Sequence, residues 1–261
     1  MMTAAQPDIA EWTFPNRSTP VGSAAYYAVR FSPEPLRQRN ALLFAWYELI
    51  QAIAEHPHDP GAARLKLDWW RQEVANIALG KARHPLAIHL QQVGLNEHAV
   101  PGMITVVDRA DAEIRSPSLV DWDAFATACR DSLGSVFLLL GQLEHESGHD
   151  TDHCVELGTY CAAVERIRQL PHAPHRVPQD LSLQALEKLT PAQRAERIDR
   201  VLDRFGGGDR SGTGSAPDFA RRLTALTRAT HSKMRRRGYP ITGNLIDRAP
   251  IAHLWTAWRC R

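Results

Sequence analysis

Residues 65–74 read LKLDWWRQEV, and this stretch indicates how the chain folds. Its apolar side chains recur at steps of three and four residues, which places them on one face of a helix. They are Leu67, Trp70, Val74 and Ile77. We expect the helix to end at Gly80, since glycine readily adopts the left-handed turn that closes a helix. The adjacent Trp69 and Trp70 form the kind of large apolar pair that anchors a core.

The charged side chains of this helix are expected to face water. They are Arg64, Asp68, Arg71 and Glu73. Arg64 and Asp68 are one turn apart and should form an ion pair, although a pair of this kind stabilises a helix by only about 0.2–0.5 kcal/mol. The packing of the apolar face therefore has to supply most of the stability of the helix.

The composition is that of an ordinary soluble protein. With 261 residues the chain can bury a core without disulfide or metal staples, and its net charge of +2 gives no argument for a nucleic-acid partner. Its four cysteines form no CxxC pair or zinc-like spacing, which indicates free thiols in a reducing compartment. We see no signal peptide and no run of about 18 apolar residues. We expect a cytoplasmic protein that is at most peripheral to a membrane.

Helical periodicity recurs along the chain without any strand or hairpin pattern, so the predicted fold class is all-α, with roughly ten helices. Residues 1–18 are predicted to be a flexible tail, followed by a single helical domain over residues 19–261 with a glycine-rich linker at 206–215. Thr19 is expected to cap the first helix. The longer predicted helices end near residues 31, 55, 80, 115, 146, 170, 205, 237 and 258.

Several stretches, taken in order, resemble the squalene/phytoene synthase family. The string KLDWWRQEV…GKARHPLAIHL resembles the family signature LxWWRxEL…GxxxHP. Residues 23–31, SAAYYAVRF, are similar to the family's SSFYYAxRFLP opening, and residues 158–178 are similar to its GTALxLTNILRDxxED…GRxYLP segment. The resemblance implies an isoprenoid-synthase fold, in which helices surround a central apolar cavity and two Asp-rich motifs face each other across it.

The Asp-rich motifs of that family are eroded in this chain. The resemblance implies that Mg²⁺ ions held by Asp oxygens neutralise the diphosphate leaving group, while the cavity shelters a carbocation. The first motif, RxxDDxxD, falls on Glu48, residues 51–52 (QA) and Glu55. The second falls on Glu165 and Gln169. Because an amide is a weaker Mg²⁺ ligand than a carboxylate, these residues would support a magnesium cluster poorly.

The remnant substrate site implied by the resemblance has nine side chains. They are Ser23, Tyr27, Arg30, Gln51, Glu55, Glu165, Arg168, Gln169 and Arg176. Glu55 and Glu165 are the candidate metal ligands among them, since glutamate oxygens can bind Mg²⁺. The plain alternative for both glutamates is a solvated or salt-bridged helix face.

The eroded motifs favour a non-catalytic protein that binds a prenyl diphosphate, another prenyl lipid or a protein partner, and that needs no cofactor. In this respect the chain resembles the relatives of the mitochondrial complex I assembly factor, which belong to the same superfamily. The alternative is an active Mg²⁺-dependent prenyltransferase that joins two allylic diphosphates head to head in isoprenoid biosynthesis. A third hypothesis is a soluble carrier that holds a prenyl chain in its cavity.

Residues 216–237 read as a basic amphipathic helix. Its cations are Arg221, Arg222, Arg228, Lys233, Arg235, Arg236 and Arg237. Most charge runs of this kind are solvated helix faces, and the functional alternative is contact with a membrane surface or with a protein of a membrane complex. Nucleic acid is disfavoured, because no aromatic side chains are interleaved with the cations and no binding motif is present.

Residues 145–153 concentrate side chains that can bind a metal. His145 and His149 have the i,i+4 spacing of a helical pair, but Gly148 would interrupt that helix and the segment has no HExxH register. We interpret the segment as a polar interhelical loop, with zinc binding as the alternative.

Overall fold

The computed structural model describes residues 11–55, 57–116, 118–144, 148–205, 215–243 and 245–260. Its helices are α1 Ala24–Arg30, α2 Glu34–Glu55, α3 Pro60–Ala78, α4 Pro85–Gln92, α5 Val100–Arg115, α6 Trp122–Cys129, α7 Ser135–Leu143, α8 Thr151–Arg168, α9 Leu183–Glu187, α10 Pro191–Leu202, α11 Asp218–Arg236 and α12 Pro250–Arg259. A π turn, Arg130–Gly134, joins α6 to α7, so the described residues form eleven separate helices and no strand. The all-α prediction is confirmed.

Helix α3 is the helix that the tryptophan stretch predicts. The carboxylate of Asp59 caps its start by accepting hydrogen bonds from the backbone N–H groups of Gly61 (2.8 Å) and Ala62 (3.2 Å). Gly80 follows its end with a φ of +69°, in the left-handed region. The predicted apolar face is buried and packs against α5.

The expectation that Glu73 faces water is wrong, because the residue is only 2% exposed. Its carboxylate accepts hydrogen bonds from the backbone N–H groups of Arg83 and His84 (2.6 Å) and from the side chain of Asn76 (3.1 Å). Burial alone would raise the pKa of Glu73, but these donors hold it below its ordinary value. The carboxylate therefore fastens the loop after α3 back onto the helix.

The predicted pair of Arg64 and Asp68 is replaced by pairs with other partners. Arg64 Nε donates to the carboxylate of Asp111 on α5 at 3.0 Å, while Asp68 pairs with Arg71. Arg71 and Arg115 also reach Asp111, at 3.2 and 2.6 Å. Ion pairs thus line the contact between α3 and α5. The spacing of charges within α3 predicts only a pair inside that helix.

A close backbone contact in the core joins α8 to the π turn. A Cβ atom added at Gly158 would lie 2.5 Å from the carbonyl oxygen of Leu133 and 2.7 Å from the Cα of Gly134, so only glycine fits there. The π turn leaves carbonyl groups and side chains out of their usual helical register. This contact sets the distance between α8 and the centre of the core.

The continuous helical stretch Trp122–Leu143 is long and apolar enough to cross a membrane, judged by length and composition alone. The sequence had indicated no such stretch. Within the protein, 67% of the most apolar window of this stretch is buried. Its contacts with α5 and α8 make it a central element of the core.

The structure corrects the expected N-terminal tail in part. Trp12 is 5% exposed and belongs to the same cluster of buried apolar side chains that extends to Ala257, so residues 11–18 are not a loose tail. The rest of the predicted tail, residues 1–10, and nearly all of the predicted linker, residues 206–214, lie outside the described residues.

Replacing Glu73 by alanine should lower the free energy of unfolding by about 2–3 kcal/mol at neutral pH, because two backbone N–H groups lose their acceptor. Since the native pKa lies below the ordinary value of 4.5, this loss should shrink as the pH falls below 4.5 towards the native pKa. Chemical denaturation of both proteins at several pH values measures this loss of unfolding free energy. The exposed neighbour Gln72 provides the control, and an equal loss in Gln72→Ala would contradict the assigned role.

Candidate functional site

A cavity of about 410 Å³ lies among α1, α2, α8 and α11. This volume is within the roughly 300–1,000 Å³ of typical ligand pockets. The carboxylates of its lining are Glu48, Glu55, Glu165 and Asp247, and its arginines are Arg17, Arg166, Arg168 and Arg176. Its apolar lining includes Ala25, Phe44, Leu133, Ala162 and Leu223. The cavity therefore has both charged and apolar walls.

Seven of the nine residues of the expected remnant site line this cavity. They are Ser23, Gln51, Glu55, Glu165, Arg168, Gln169 and Arg176. Tyr27 and Arg30 do not line it: the ring of Tyr27 packs edge-on against that of Tyr26, and Arg30 is exposed. Only the start of α1 reaches the cavity. Its N-cap is Ser23, whose Oγ accepts a hydrogen bond from the N–H of Tyr26 (3.0 Å), and not the expected Thr19.

The last turns of α2 and α8 bring the polar side chains together. On α2, Glu48, Gln51 and Glu55 follow one another at steps of three and four and so share one face. On α8, Glu165 and Gln169 are four residues apart and share another. Helix C-termini carry partial negative charge, which adds to that of the carboxylates and favours cations nearby.

The guanidinium of Arg176 supplies that cation between α2 and α5. Its Nη1 donates to Glu55 and its Nη2 to Gln51, both at 2.8 Å, while its Nε donates to Glu113 of α5 at 3.1 Å. The Arg176 side chain is only 8% exposed. We call this arrangement the Arg176 clamp. It occupies the amide and the carboxylate that remain where the resemblance places the first metal-binding motif.

Glu113 is the buried counterion of the clamp. It also pairs with Arg166 of α8 and, at 3.4 Å, with Arg109. Burial alone would raise the pKa of Glu113, but Arg166 and Arg176 lower it to about 2, so the group is ionised at neutral pH. No sequence motif marks Glu113. Its i,i+4 spacing from Arg109 on α5 is the one local signal for an ion pair.

In the last turn of α8, Glu165 is held by its own helix. Arg168 binds its carboxylate through Nε (2.8 Å) and Nη2 (2.7 Å), and the amide of Gln169 donates to it at 2.8 Å. The Glu165 side chain is 47% exposed towards the cavity, yet protein surrounds the group. Enclosure alone would raise the pKa of Glu165, but the hydrogen bonds and charge of Arg168 lower it.

Glu48 is the cavity group that titrates near neutrality. It is open to the cavity, but enclosure by the protein, followed by repulsion from Glu165 and Glu55, raises its pKa to about 7. Arg176 and Arg168 oppose this shift only in part. The sequence places Glu48 in the first motif but does not mark it as a site residue, because enclosure by the fold and the approach of Glu165 and Glu55 exist only in three dimensions.

The residues present do not fit a cluster of Mg²⁺ ions. The two candidate ligands, Glu55 and Glu165, are each engaged by an arginine, and Gln51 and Gln169 offer neutral amides. Among the described residues, no three His, Cys, Asp or Glu side chains converge in an arrangement that could hold a metal. Of the histidine-rich segment, residues 145–147 lie outside the described residues, and His149 contacts Ser215 (2.9 Å) and Glu144 (3.4 Å).

Replacing Glu113 by alanine should lower the free energy of unfolding by about 3–5 kcal/mol, because Arg166 would remain buried without its counterion. Chemical denaturation at neutral pH measures this loss. The exposed pair of Arg200 and Glu196 offers a matched control, and Glu196→Ala should cost at most about 1 kcal/mol. Similar losses of unfolding free energy in the two variants would contradict the role of Glu113 as a buried counterion.

Replacing Glu48 by glutamine should change the pH dependence of stability. A carboxyl group with a raised native pKa contributes stability below its ordinary pKa of 4.5, and this contribution is lost as the pH rises through about 7. Glu48→Gln should therefore gain stability relative to wild type between those two values, as measured by chemical denaturation. Glu187→Gln, at an exposed position, should follow wild type. A Glu48→Gln profile parallel to wild type would refute the shift.

Two comparisons with known proteins bear on this site. Residues 19–182 match the model of the squalene/phytoene synthase family, and this range includes α1, α2, α8 and the Arg176 clamp. The chain is also 21% identical, over 209 residues, to a protein named presqualene diphosphate synthase from Rhodopseudomonas palustris. That alignment covers 73% of this chain and 74% of the relative. The match to the family model covers more than half of the chain. The chain therefore belongs to the squalene/phytoene synthase family.

Proposed function

We propose that this chain is a non-catalytic member of its family that binds an isoprenoid lipid in the cavity between α2 and α8. The observation that carries the proposal is the Arg176 clamp. Its guanidinium donates hydrogen bonds to the carboxylate of Glu55 and the amide oxygen of Gln51 at the end of α2. A guanidinium offers five fixed N–H donors, and these cannot activate a diphosphate as a Mg²⁺ cluster does.

The charge of the lining favours a ligand with a neutral or weakly charged head group. Four arginines and four carboxylates line the cavity, and one of those carboxylates, Glu48, is protonated in part at neutral pH. Without Mg²⁺, a diphosphate would meet Glu55 and Glu165 at close range and would have to displace arginines that already hold them. An alcohol or another uncharged head group would meet neither penalty, and it could hydrogen-bond to the amide of Gln169.

The apolar wall suits a prenyl chain. Small side chains at Ala25 and Ala162 leave room beside Phe44, Leu133 and Leu223. Burying each methylene group of a ligand there would contribute about 0.8 kcal/mol. The ligand class that matches both walls is therefore a long branched hydrocarbon with one small polar end.

The second candidate function is Mg²⁺-dependent head-to-head prenyl transfer. Two observations favour it: the relative is named presqualene diphosphate synthase, and three glutamates (Glu48, Glu55 and Glu165) line one cavity. Glutamate can bind Mg²⁺, so an active form would have to release Arg168 and Arg176 from these carboxylates.

We expect the purified protein to release no pyrophosphate from farnesyl or geranylgeranyl diphosphate in the presence of Mg²⁺, and native mass spectrometry to show a copurifying lipid. Ala162→Phe should fill the cavity and lose that lipid, because Ala162 lines the apolar wall. Ala62→Phe, at an exposed position of α3, should retain it.

Two results would decide against this proposal. Pyrophosphate release that requires Mg²⁺ and disappears in Glu55→Ala would establish the transferase instead. Lipid that copurifies equally with wild type, Ala162→Phe and Ala62→Phe would show that the ligand is bound outside the cavity.

A further inference from the structure

Helix α12 presents apolar side chains to solvent. Ile251, Leu254 and Trp255 are 71%, 36% and 58% exposed, and their spacing of three and four residues puts them on one face. The ring of Trp258 extends this face by packing 5.4 Å from that of Trp255. We call these four side chains the α12 face. Single exposed apolar residues are ordinary, but a contiguous group of this kind marks an interaction surface.

The opposite side of α12 is buried against the protein. His253 and Ala257 are each 1% exposed, and the helix contacts α1 and α11. The buried side thus fixes the orientation of the helix. Because of these contacts, the α12 face points towards solvent.

Two arginines lie beside the α12 face. The guanidinium of Arg259 lies 5.8 Å from the centre of the Trp255 ring, and Arg248 donates to Thr256 at 2.9 Å, so both lie along the helix. Residues 233–259 contain six lysines and arginines and a single acidic residue, Asp247. Apolar side chains with a basic rim match the chemistry of an anionic lipid surface.

Most cations of α11 have partners within the protein. Arg222 is buried and pairs with Asp218, and Arg235 pairs with Asp199 at 2.7 Å. Only the C-terminal end of α11 adds to the basic rim of the α12 face. Lys233 donates to the carbonyl of Asp247 there, which places that end beside the start of α12.

The α12 face also adjoins the outer edge of the cavity. A Cβ atom at Gly22 would lie 3.1 Å from the ring of Pro250, so the first turn of α12 packs against the segment before α1. Pro20 and Ser23 of that segment line the cavity, as does Asp247 just before α12. Val21, which is 73% exposed, extends the apolar surface beside them.

We infer that the α12 face docks this protein on an anionic lipid bilayer. Tryptophan rings suit the boundary between head groups and acyl chains, and arginine side chains can pair with lipid phosphates just above it. A second copy of the chain is the weaker match, because a symmetric contact through this face would bring two basic rims together. The docking requires no particular ligand in the cavity.

The test is co-sedimentation of the full chain with vesicles of phosphatidylcholine and phosphatidylglycerol in a roughly 2:1 ratio, against vesicles of phosphatidylcholine alone. We expect binding to the anionic vesicles that weakens as salt is added. The double variant Ile251→Gln/Trp255→Gln should bind at least about tenfold more weakly. The matched control is Leu65→Gln/Leu79→Gln, which alters two exposed leucines at α3 and should bind as wild type does.

Thermal melting checks that both double variants fold, and the single variant Ile251→Gln replaces the double one if that melts early. The inference is overturned if wild type does not sediment with anionic vesicles, or if the α3 control loses as much binding as the α12 variant. It is also overturned if the wild type forms a dimer that the α12 variant disperses and neither protein binds vesicles.

Discussion

The ion pair between Arg176 and Glu113 is the contact on which the arrangement of the cavity depends. It lies where the ends of α2 and α8 approach α5, and it joins residues that are 63 positions apart in the chain. Breaking a buried pair costs far more than forming it gains, because the remaining charge stays out of water. The pair therefore fixes geometry: with Nε and Nη2 of Arg176 on Glu113, Nη1 is directed at Glu55, and Nη2 also donates to Gln51.

Arginines hold Glu55 and Glu165 but not Glu48: Arg176 binds the first, and Arg168 binds the second. Glu55 and Glu165 each have an arginine within 2.8 Å, whereas no hydrogen bond or ion pair reaches Glu48 within the described part of the chain. Two helix C-termini add their partial negative charge to the same space. Enclosure by the protein, followed by repulsion from Glu165 and Glu55, favours the protonated form of Glu48 and gives it a pKa of about 7. The carboxylates of the cavity are thus balanced by arginines and, at Glu48, in part by a proton.

The helices could be predicted from the sequence because periodicity, caps and glycine stops are local signals. Contacts between distant positions could not: Glu73 binds backbone N–H groups ten and eleven residues away, and Arg64 binds Asp111 on another helix. The resemblance placed seven of nine site residues at the cavity. Glu113 belongs to no motif, because a buried counterion leaves no sequence signature, and Tyr27 lies away from the cavity, because only the first residues of α1 reach it.

The size of the cavity is itself an argument for a ligand. Small side chains such as Ala25 and Ala162 line a space of about 410 Å³ next to Phe44 and Leu133. A chain that merely had to fold would gain stability from larger apolar residues at these positions, since filling a cavity contributes roughly 24 cal/mol for each Å³ removed. An apolar ligand recovers the same free energy when it binds. On the proposed function, the apolar wall and the arginines that already hold Glu55 and Glu165 suit this cavity to a hydrocarbon chain with an uncharged head group.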